Sequence, residues 1–163
     1  MTDHGTPYGD IVATKGTGGV SGGSRNLKVV FVVRDGLPLN QAVNAATVLG
    51  ASVGTALCLP LGPDAFDASG TRYAGIVTTP VPILVATTEE LTVLHGLAQR
   101  REDVTVLCLT ETARRARTYD AYLADLAATP DADAEILGLI AAGQRIQVTK
   151  LTKRLPLLGA THE

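Results

Sequence analysis

A chain of 163 residues with 45% hydrophobic content is long enough for one domain with a core of its own. Only 4% of the residues are aromatic and Trp is absent, which argues against the base-stacking platforms of single-strand nucleic-acid binders. The net charge of −2 excludes a global field that would draw the chain to phosphate polymers.

The first 26 residues differ in composition from the rest of the chain. Residues 1–26 are rich in Gly, Ser and Thr, which is typical of a flexible arm, and Ile11-Val12-Ala13 is a candidate short edge strand within it. The arm lacks the positive charge and apolar run of a signal peptide. Two prolines interrupt the uncharged stretch at 36–63, which argues against a membrane span. We therefore expect a cytoplasmic protein with no membrane contact.

Apolar runs alternate with helical patterns along residues 27–158, which we expect to form one domain. The runs predict strands at residues 29–33, 83–87, 104–109 and 136–141. The helical patterns lie at residues 38–54, from Thr88 to near Arg100, at 118–128 and at 144–154. Turn chemistry at Asp67-Ala68-Ser69-Gly70 predicts a hairpin. This order predicts an α/β fold with a four-stranded sheet, mixed or largely parallel, flanked by helices and followed by a tail at 159–163.

The helix predicted at 38–54 carries no charged residue, and neither does any position from Gly36 to Pro63. A helix without charges is expected to be covered or to line a pocket. Its apolar stripe is predicted to face inward; it consists of Leu39, Val43, Ala46, Leu49 and Val53. Asn40, Asn44 and Thr47 form a polar stripe beside it.

Neither the cysteines nor the histidines predict a metal centre. Cys58 and Cys108 lie on separate apolar segments without a CxxC pair, which indicates free buried thiols. His95 lies in the middle of a predicted helix, and no second His accompanies it at ligand spacing, so it is interpreted as a surface or core-edge residue. We expect no metal and no cofactor.

Candidate catalytic and binding residues follow two of the predicted strands, at the end of the sheet where α/β proteins form ligand crevices. Glu111 is the candidate general base, with a pKa raised by partial burial, and Asp35 is its candidate acid partner. Alternatively, Thr110 caps a helix that holds Glu111 solvated in its first turn, and Arg34 and Asp35 pair with each other or with loops. Asn44, together with Asn40, is the candidate for binding a carbonyl, amide or carboxylate, unless the two cap neighbouring loops or the helix of a partner subunit. The candidate substrate-binding residues are Arg34, Asn40, Gln41 and Thr110.

The basic residues are densest after the third strand and on the last helix. If both segments face the same side, they form a patch for a phosphate group. Solvated helix faces are the alternative explanation. The residues are Arg114, Arg115, Arg117, Arg145, Lys150, Lys153 and Arg154.

Three segments in order resemble the DUF2000 family. They are KVVFVVRDGLPLNQAVNAATVLG, then DASG followed by Pro82-Ile83-Leu84, and finally ILGLIAAGQRIQVTKLTKRLPLL at 136–158. Members of this family are small bacterial proteins whose fold is similar to that of the second type of peptidyl-tRNA hydrolase. The resemblance covers residues 27–158 and implies that fold here.

The chain departs from the hydrolase relatives at the residues that serve the peptidyl-tRNA ester. Those relatives carry an Arg-x-Asp-Leu turn, then Lys and Gln on the first helix, with a later Asp and Thr. Here the turn places Gly36 where the relatives have Asp, and the helix has Gln41 but no lysine. A neutral amide supplies no positive charge for an oxyanion or phosphate, so tRNA as substrate is not favoured.

The sequence leaves three functions open. The first is a hydrolase-like enzyme that acts on an ester or amide of a small molecule, with a neutral Asn-lined pocket and with Asp35 or Glu111 moving protons. The second is a non-hydrolytic isomerase or cyclase of specialised metabolism. The third is a non-catalytic binding module. In each case a homodimer is expected.

Overall fold

A computed structural model describes residues 26–160 of the chain. The predicted edge strand at Ile11-Val12-Ala13 lies outside the described residues, as does most of the arm. Within the described part, no helix has the length and hydropathy that a membrane span requires. In chain order the elements are β1 (Leu27–Arg34), α1 (Leu39–Leu57), β2 (Ala65–Phe66), β3 (Arg72–Tyr73), β4 (Ile83–Ala86), α2 (Thr88–Gln99), β5 (Val104–Thr110), α3 (Glu111–Arg115), α4 (Tyr119–Ala127), β6 (Ile136–Gln144) and α5 (Arg145–Thr152).

The four long strands form one mixed sheet in the order β4-β1-β6-β5. β1 and β4 are parallel, whereas β6 runs antiparallel to both of its neighbours. The prediction of a four-stranded mixed sheet is therefore confirmed, but its largely parallel alternative is wrong. The reason lies at the start of β6, where Glu111 N donates to Glu135 O at 2.8 Å. The chain enters β6 at the same end at which β5 finishes, so β6 must run back.

Helices cover both faces of the sheet, which explains why the β1 and β6 runs are apolar without alternation. On one face, Val29, Phe31 and Val33 pack against α1. On the other face, Val30 and Val32 pack with residues of α2 and α5. The predicted positions of all four strands are confirmed, because buried β-branched runs leave little choice of local structure.

The helix α1 is rotated relative to its predicted orientation. Leu39 and Val43, predicted to face inward, are 79% and 55% exposed. Ala45, Leu49 and Val53 are the residues of α1 that are buried, at a spacing of four residues along one face. Sequence periodicity alone did not separate these stripes, because small apolar residues occur on nearly every side of this helix.

On the other face of the sheet, helical spacing predicts that Leu97 of α2 and Ile146 of α5 also face inward, and both predictions are wrong. Leu97 near the end of α2 is exposed, whereas Ala98 is buried. Ile146 near the start of α5 is exposed, whereas Val148 is buried. The buried face of α2 therefore consists of Leu91, Leu94 and Ala98, and that of α5 of Val148 and Thr152.

The segment between α1 and β4 contains the predicted hairpin. β2 and β3 pair antiparallel around a turn that Asp67 stabilises. Its carboxylate accepts hydrogen bonds from Ser69 N at 2.8 Å and Thr71 N at 2.9 Å. The Thr71 N–H lowers the pKa of Asp67 below its usual value. The turn chemistry read from the sequence is confirmed.

The segment that follows α5 lies along the free side of β4. Val85 N donates to Pro156 O at 2.9 Å, and Leu158 N donates to Ile83 O at 2.9 Å. These backbone bonds pair the C-terminal segment with the edge strand. The edge of the sheet at β4 is thus occupied by the chain itself.

The burial difference along α2 gives a test of the fold. We expect Leu91→Ala to lower the free energy of unfolding by about 2–5 kcal/mol, because Leu91 is fully buried and its removal leaves a cavity. Leu97→Ala on the same helix should cost less than about 1 kcal/mol, because that side chain is 46% exposed. Urea denaturation followed by circular dichroism measures both. Equal losses would contradict the orientation of α2.

Candidate functional site

The ends of β1 and β5 lie at the same end of the sheet, as the sequence predicts. The charged residues Arg34 and Glu111, which lie there, are both engaged in ion pairs. Arg34 at the end of β1 pairs with Glu135, which precedes β6. Asp35 is exposed in the turn, where its Oδ1 accepts a hydrogen bond from Gly36 N at 2.9 Å. Arg34 and Asp35 therefore do not pair with each other. The Arg34 guanidinium instead fastens β1 to the start of β6.

Glu111 does not have the raised pKa that the sequence analysis expected. Its carboxylate accepts hydrogen bonds from Arg114 at 2.6 and 2.7 Å and from Arg115 at 2.6 Å. The Arg114 hydrogen bond is the main cause that lowers the pKa of Glu111 from 4.5 to about 2. A carboxylate this acidic is a poor proton acceptor at neutral pH. The expected raised pKa is wrong, because two guanidinium groups outweigh the burial.

Thr110 has the capping role that was the alternative interpretation of this segment. Its side chain is buried, and its hydroxyl accepts a hydrogen bond from Ala113 N at 3.2 Å. This bond satisfies one of the free N–H groups at the start of α3. The turn after β5 thus has a structural explanation that requires no substrate.

The predicted amide residues of α1 separate in the structure. Asn44 lines a groove of about 540 Å³ between α1 and the α3–α4 segment. Arg114, Arg117 and Tyr122 line the same groove, and Arg117 has no carboxylate within 4 Å among the described residues. Asn40 and Gln41 are not among the residues that line it. Arginine side chains therefore share this groove with Asn44, and the pocket is not as neutral as expected.

The predicted phosphate patch does not assemble. Arg145 follows β6, and β6 runs antiparallel to β5, so Arg145 lies at the opposite end of the sheet from Arg114. α5 also packs on the face of the sheet that α2 covers. The two basic segments do not meet in one surface, and solvated helix faces account for them.

A second cavity brings together His95 and Cys108, two residues to which the sequence assigns no function. It has a volume of about 410 Å³ and lies between α2, β5 and α4. In it, Cys108 Sγ is 3.7 Å from His95 Nε2. Gln99 Nε2 lies 3.0 Å from the same nitrogen. Tyr122 and Asp131 also line the cavity.

The Gln99 amide is a hydrogen-bond partner of His95 Nε2. Its nitrogen donates to Nε2 in the tautomer of His95 that carries the ring proton on Nδ1. The unprotonated nitrogen therefore faces the Cys108 thiol. Burial lowers the pKa of His95, although the Asp131 carboxylate opposes this shift, and burial raises the pKa of Cys108. At neutral pH the pair is a neutral imidazole beside a neutral thiol.

Similarity to known proteins identifies the family of this chain. Residues 27–159 match the family described as "Protein of unknown function (DUF2000)". The chain belongs to the DUF2000 family. A protein of unknown function from Agrobacterium tumefaciens strain C58 has a similar structure, with a TM-score of 0.73 and 21% identity over 81% of this chain and 97% of that chain. At that identity the likeness shows the fold alone. A search of the curated proteins finds no match.

The sequence of this DUF2000 chain holds one signal for the His95–Cys108 pair. Val104, Val106 and Cys108 alternate along β5 and so share one face of the strand. That face is the one α2 covers, but only the fold shows which helix lies there. The other cysteine, Cys58, is exposed at the end of α1, so the expectation that both thiols are buried is wrong. Among the described residues, no three potential ligands converge on a metal site.

The pKa of Glu111 gives a test of the ion-paired turn. In the fold this pKa is about 2 instead of 4.5, so the stability it contributes is complete above pH 4.5 and is lost as the pH falls toward 2. We expect Glu111→Gln to lower the free energy of unfolding by about 1 kcal/mol at pH 7, as exposed ion pairs do. The difference from the wild type should shrink over that acidic range.

The matched control is Glu102→Gln, because Glu102 is exposed and has no ion pair within 4 Å among the described residues. Urea denaturation at several pH values measures both variants. If Glu111→Gln leaves the pH dependence unchanged, the contacts with Arg114 and Arg115 do not form in solution.

Proposed function

We propose that this protein is a small-molecule enzyme of the hydrolase type, in which Cys108 attacks the carbonyl carbon of an ester or amide. His95 is the base that takes the thiol proton. The observation that carries the proposal is the 3.7 Å contact between Cys108 Sγ and His95 Nε2 inside a cavity. A nucleophile within hydrogen-bond reach of a base, with the base oriented by a third group, is the general arrangement of nucleophilic catalysis.

The proposed step balances without a cofactor. His95 Nε2 accepts the proton as the sulfur lone pair forms a bond to the carbonyl carbon. The bond to the leaving oxygen or nitrogen then breaks, and the imidazolium returns the proton to the leaving group. Water hydrolyses the resulting thioester and frees the thiol. Proton transfer at the moment of attack is needed, since the raised pKa of Cys108 leaves little thiolate at rest.

Tyr122 is the proposed donor to the oxyanion that forms during the attack. It lines the same cavity, and burial raises its pKa, so the phenol keeps its proton at neutral pH. A donor placed where negative charge develops stabilises the transition state. Gln99 is a positioning residue in this scheme, because it selects the tautomer of His95.

Asn44 keeps a binding role in the proposal. The groove that it lines shares Cys108 and Tyr122 with the cavity of His95, so one substrate can extend along both. Arg117 in that groove favours a carboxylate or another anion at the distal end of the substrate. Asp35 and Glu111 are not favoured as proton carriers, since the first is exposed in a turn and the second is ion-paired.

A non-catalytic binding module is the second candidate. The observation that favours it is the loss of the predicted acid and base at the ends of the strands, while the groove itself persists. An isomerase or cyclase would use the same His95 as its base and would need no covalent intermediate. The peptidyl-tRNA hydrolase-like fold and a cytoplasmic location remain parts of the proposal, and the first rests on the resemblance of β1–α1 and β6–α5.

The proposed pair predicts a covalent acyl-enzyme. With p-nitrophenyl acetate, we expect acetylation of Cys108 and release of nitrophenolate, and the Cys108→Ala variant should lose both. His95→Gln should lower the rate by about 100-fold or more, as loss of a general base does. The rate should rise with pH through the pKa of His95, which burial lowers from its usual value. Peptide mass spectrometry and absorbance measure the two readouts.

The exposed Cys58 provides the matched control. It is more accessible than Cys108, so reactivity set by exposure alone would acetylate Cys58 first. Cys58→Ser should leave turnover unchanged, and thermal melting should show that every variant is folded. Acetylation of Cys58 alone, or an equal rate for His95→Gln, would remove Cys108 and His95 from the chemistry.

Peptidyl-tRNA is not expected as a substrate. The first helix has no lysine, and Arg114 and Arg115 are engaged by Glu111. We predict no release of the amino-acyl group from diacetyl-lysyl-tRNA, measured with a second-type peptidyl-tRNA hydrolase as positive control. Release by this protein at a comparable rate would contradict the small-molecule proposal.

A further inference from the structure

The groove that Asn44 lines and the cavity of His95 meet at the outer edge of the sheet. β5 is an edge strand, so no further strand of the described chain separates the two spaces. Cys108 and Tyr122 line both of them. The proposed nucleophile and the proposed oxyanion donor therefore lie at the junction of two half-sites. We call the groove beside α1 the α1 half-site and the cavity beside α2 the α2 half-site.

The α1 half-site carries a positive charge. Its charged lining residues are Arg114 and Arg117. The charge of Arg114 is compensated by the Glu111 carboxylate, which accepts its two hydrogen bonds at 2.6 and 2.7 Å. Arg117 has no carboxylate within 4 Å in the part of the chain that the structure describes. An anionic group that enters this half-site can therefore accept a charge-assisted hydrogen bond from Arg117.

The α2 half-site carries the opposite charge. Its titratable lining residues are His95, Cys108, Tyr122 and Asp131. The first three are neutral at pH 7, because burial lowers the pKa of His95 and raises the pKa of Cys108 and of Tyr122. Asp131 is exposed and forms no ion pair with any residue from 26 to 160. Its carboxylate is therefore available to a cationic group in this half-site.

The position of His95 determines which part of the substrate each half-site holds. In the proposed reaction the imidazolium returns its proton to the leaving oxygen or nitrogen, so the leaving group must lie on the side of His95. His95 lines the α2 half-site and does not line the α1 half-site. The leaving group therefore occupies the half-site of Asp131, and the acyl group occupies the half-site of Arg117. This orientation rests on the function proposed above.

We propose that the substrate is a dipolar ester or amide, with an anionic group on its acyl part and a cationic amine on its leaving group. Arg117 binds the anion, and Asp131 binds the cation. Opposite charges on the two sides of the scissile bond also select the direction of binding, because the reversed orientation brings like charges together. A substrate that lacks either charge loses one of the two contacts.

A pair of acetate esters tests the leaving-group side. Acetylcholine and 3,3-dimethylbutyl acetate have the same shape, but only acetylcholine is positively charged. We expect kcat/KM to be about threefold or more higher for acetylcholine, as an exposed ion pair allows, and Asp131→Asn should abolish this preference. The matched control is Asp133→Asn, because Asp133 is exposed in the same turn and does not line the half-site. That variant should keep the preference.

A pair of nitrophenyl esters tests the acyl side. The p-nitrophenyl esters of 4-carboxybenzoic acid and 4-methylbenzoic acid differ in charge, and each rate is divided by the rate of hydroxide hydrolysis of the same ester. We expect a preference of about tenfold or more for the carboxylate, which Arg117→Gln should abolish. Arg100→Gln is the control, since Arg100 is exposed and lines neither half-site. Thermal melting should show that every variant is folded.

The possible outcomes separate this proposal from the function on which it rests. Turnover at Cys108 with equal rates for charged and neutral esters would keep the hydrolase and overturn the dipolar substrate. A charge preference that survives both Arg117→Gln and Asp131→Asn would also overturn it.

If no ester is turned over, the proposed reaction is wrong, and binding of choline and of benzoate still tests the two half-sites. Titration followed by NMR measures both dissociation constants without any reaction. Choline binding that Asp131→Asn weakens and benzoate binding that Arg117→Gln weakens would support a dipolar ligand. Absence of binding of both ligands up to roughly 10 mM would overturn it.

Discussion

The central strand β6 pairs along its length with both β1 and β5, and the position of every other element depends on this arrangement. Because β6 runs against its neighbours, β1, β4 and β5 all finish at one end of the sheet. The Arg34–Glu135 ion pair and the Glu111–Glu135 backbone hydrogen bond fix the point at which β6 begins. Arg34, which was expected to bind substrate at that end, instead holds β1 to the start of β6.

The sequence predicted the elements well and their relations less well. Continuous β-branched runs such as Val29–Val33 and the turn at Asp67 have one natural local structure each, and both are confirmed. The direction of β6 depends on a contact between Glu111 and Glu135 that no periodicity reports. The rotation of α1 was also inaccessible, since its abundant alanine, glycine and valine residues define no clear apolar side.

The candidate site could be predicted from the sequence less well than the fold. Thr110 as a helix cap was readable because a cap is a local pattern. The direction of the Glu111 pKa shift was not predictable, because burial raises this pKa while Arg114 and Arg115 lower it. The sequence does not show which of the two effects is larger. His95 and Cys108 belong to different elements that only the fold brings together. Local features such as helix caps can be predicted from a single sequence, whereas contacts between side chains that are distant in sequence cannot.

The C-terminal segment that pairs with β4 has a consequence for assembly. An exposed edge strand invites the addition of a strand from another molecule, which leads to open-ended aggregates. Pro156 and Leu158 occupy that position on β4 with the chain's own backbone groups. A strand from another molecule therefore cannot pair with the outer side of β4. Contacts between molecules at this edge can involve only side chains. The few residues after α5 thus protect the edge strand β4 from pairing with other molecules.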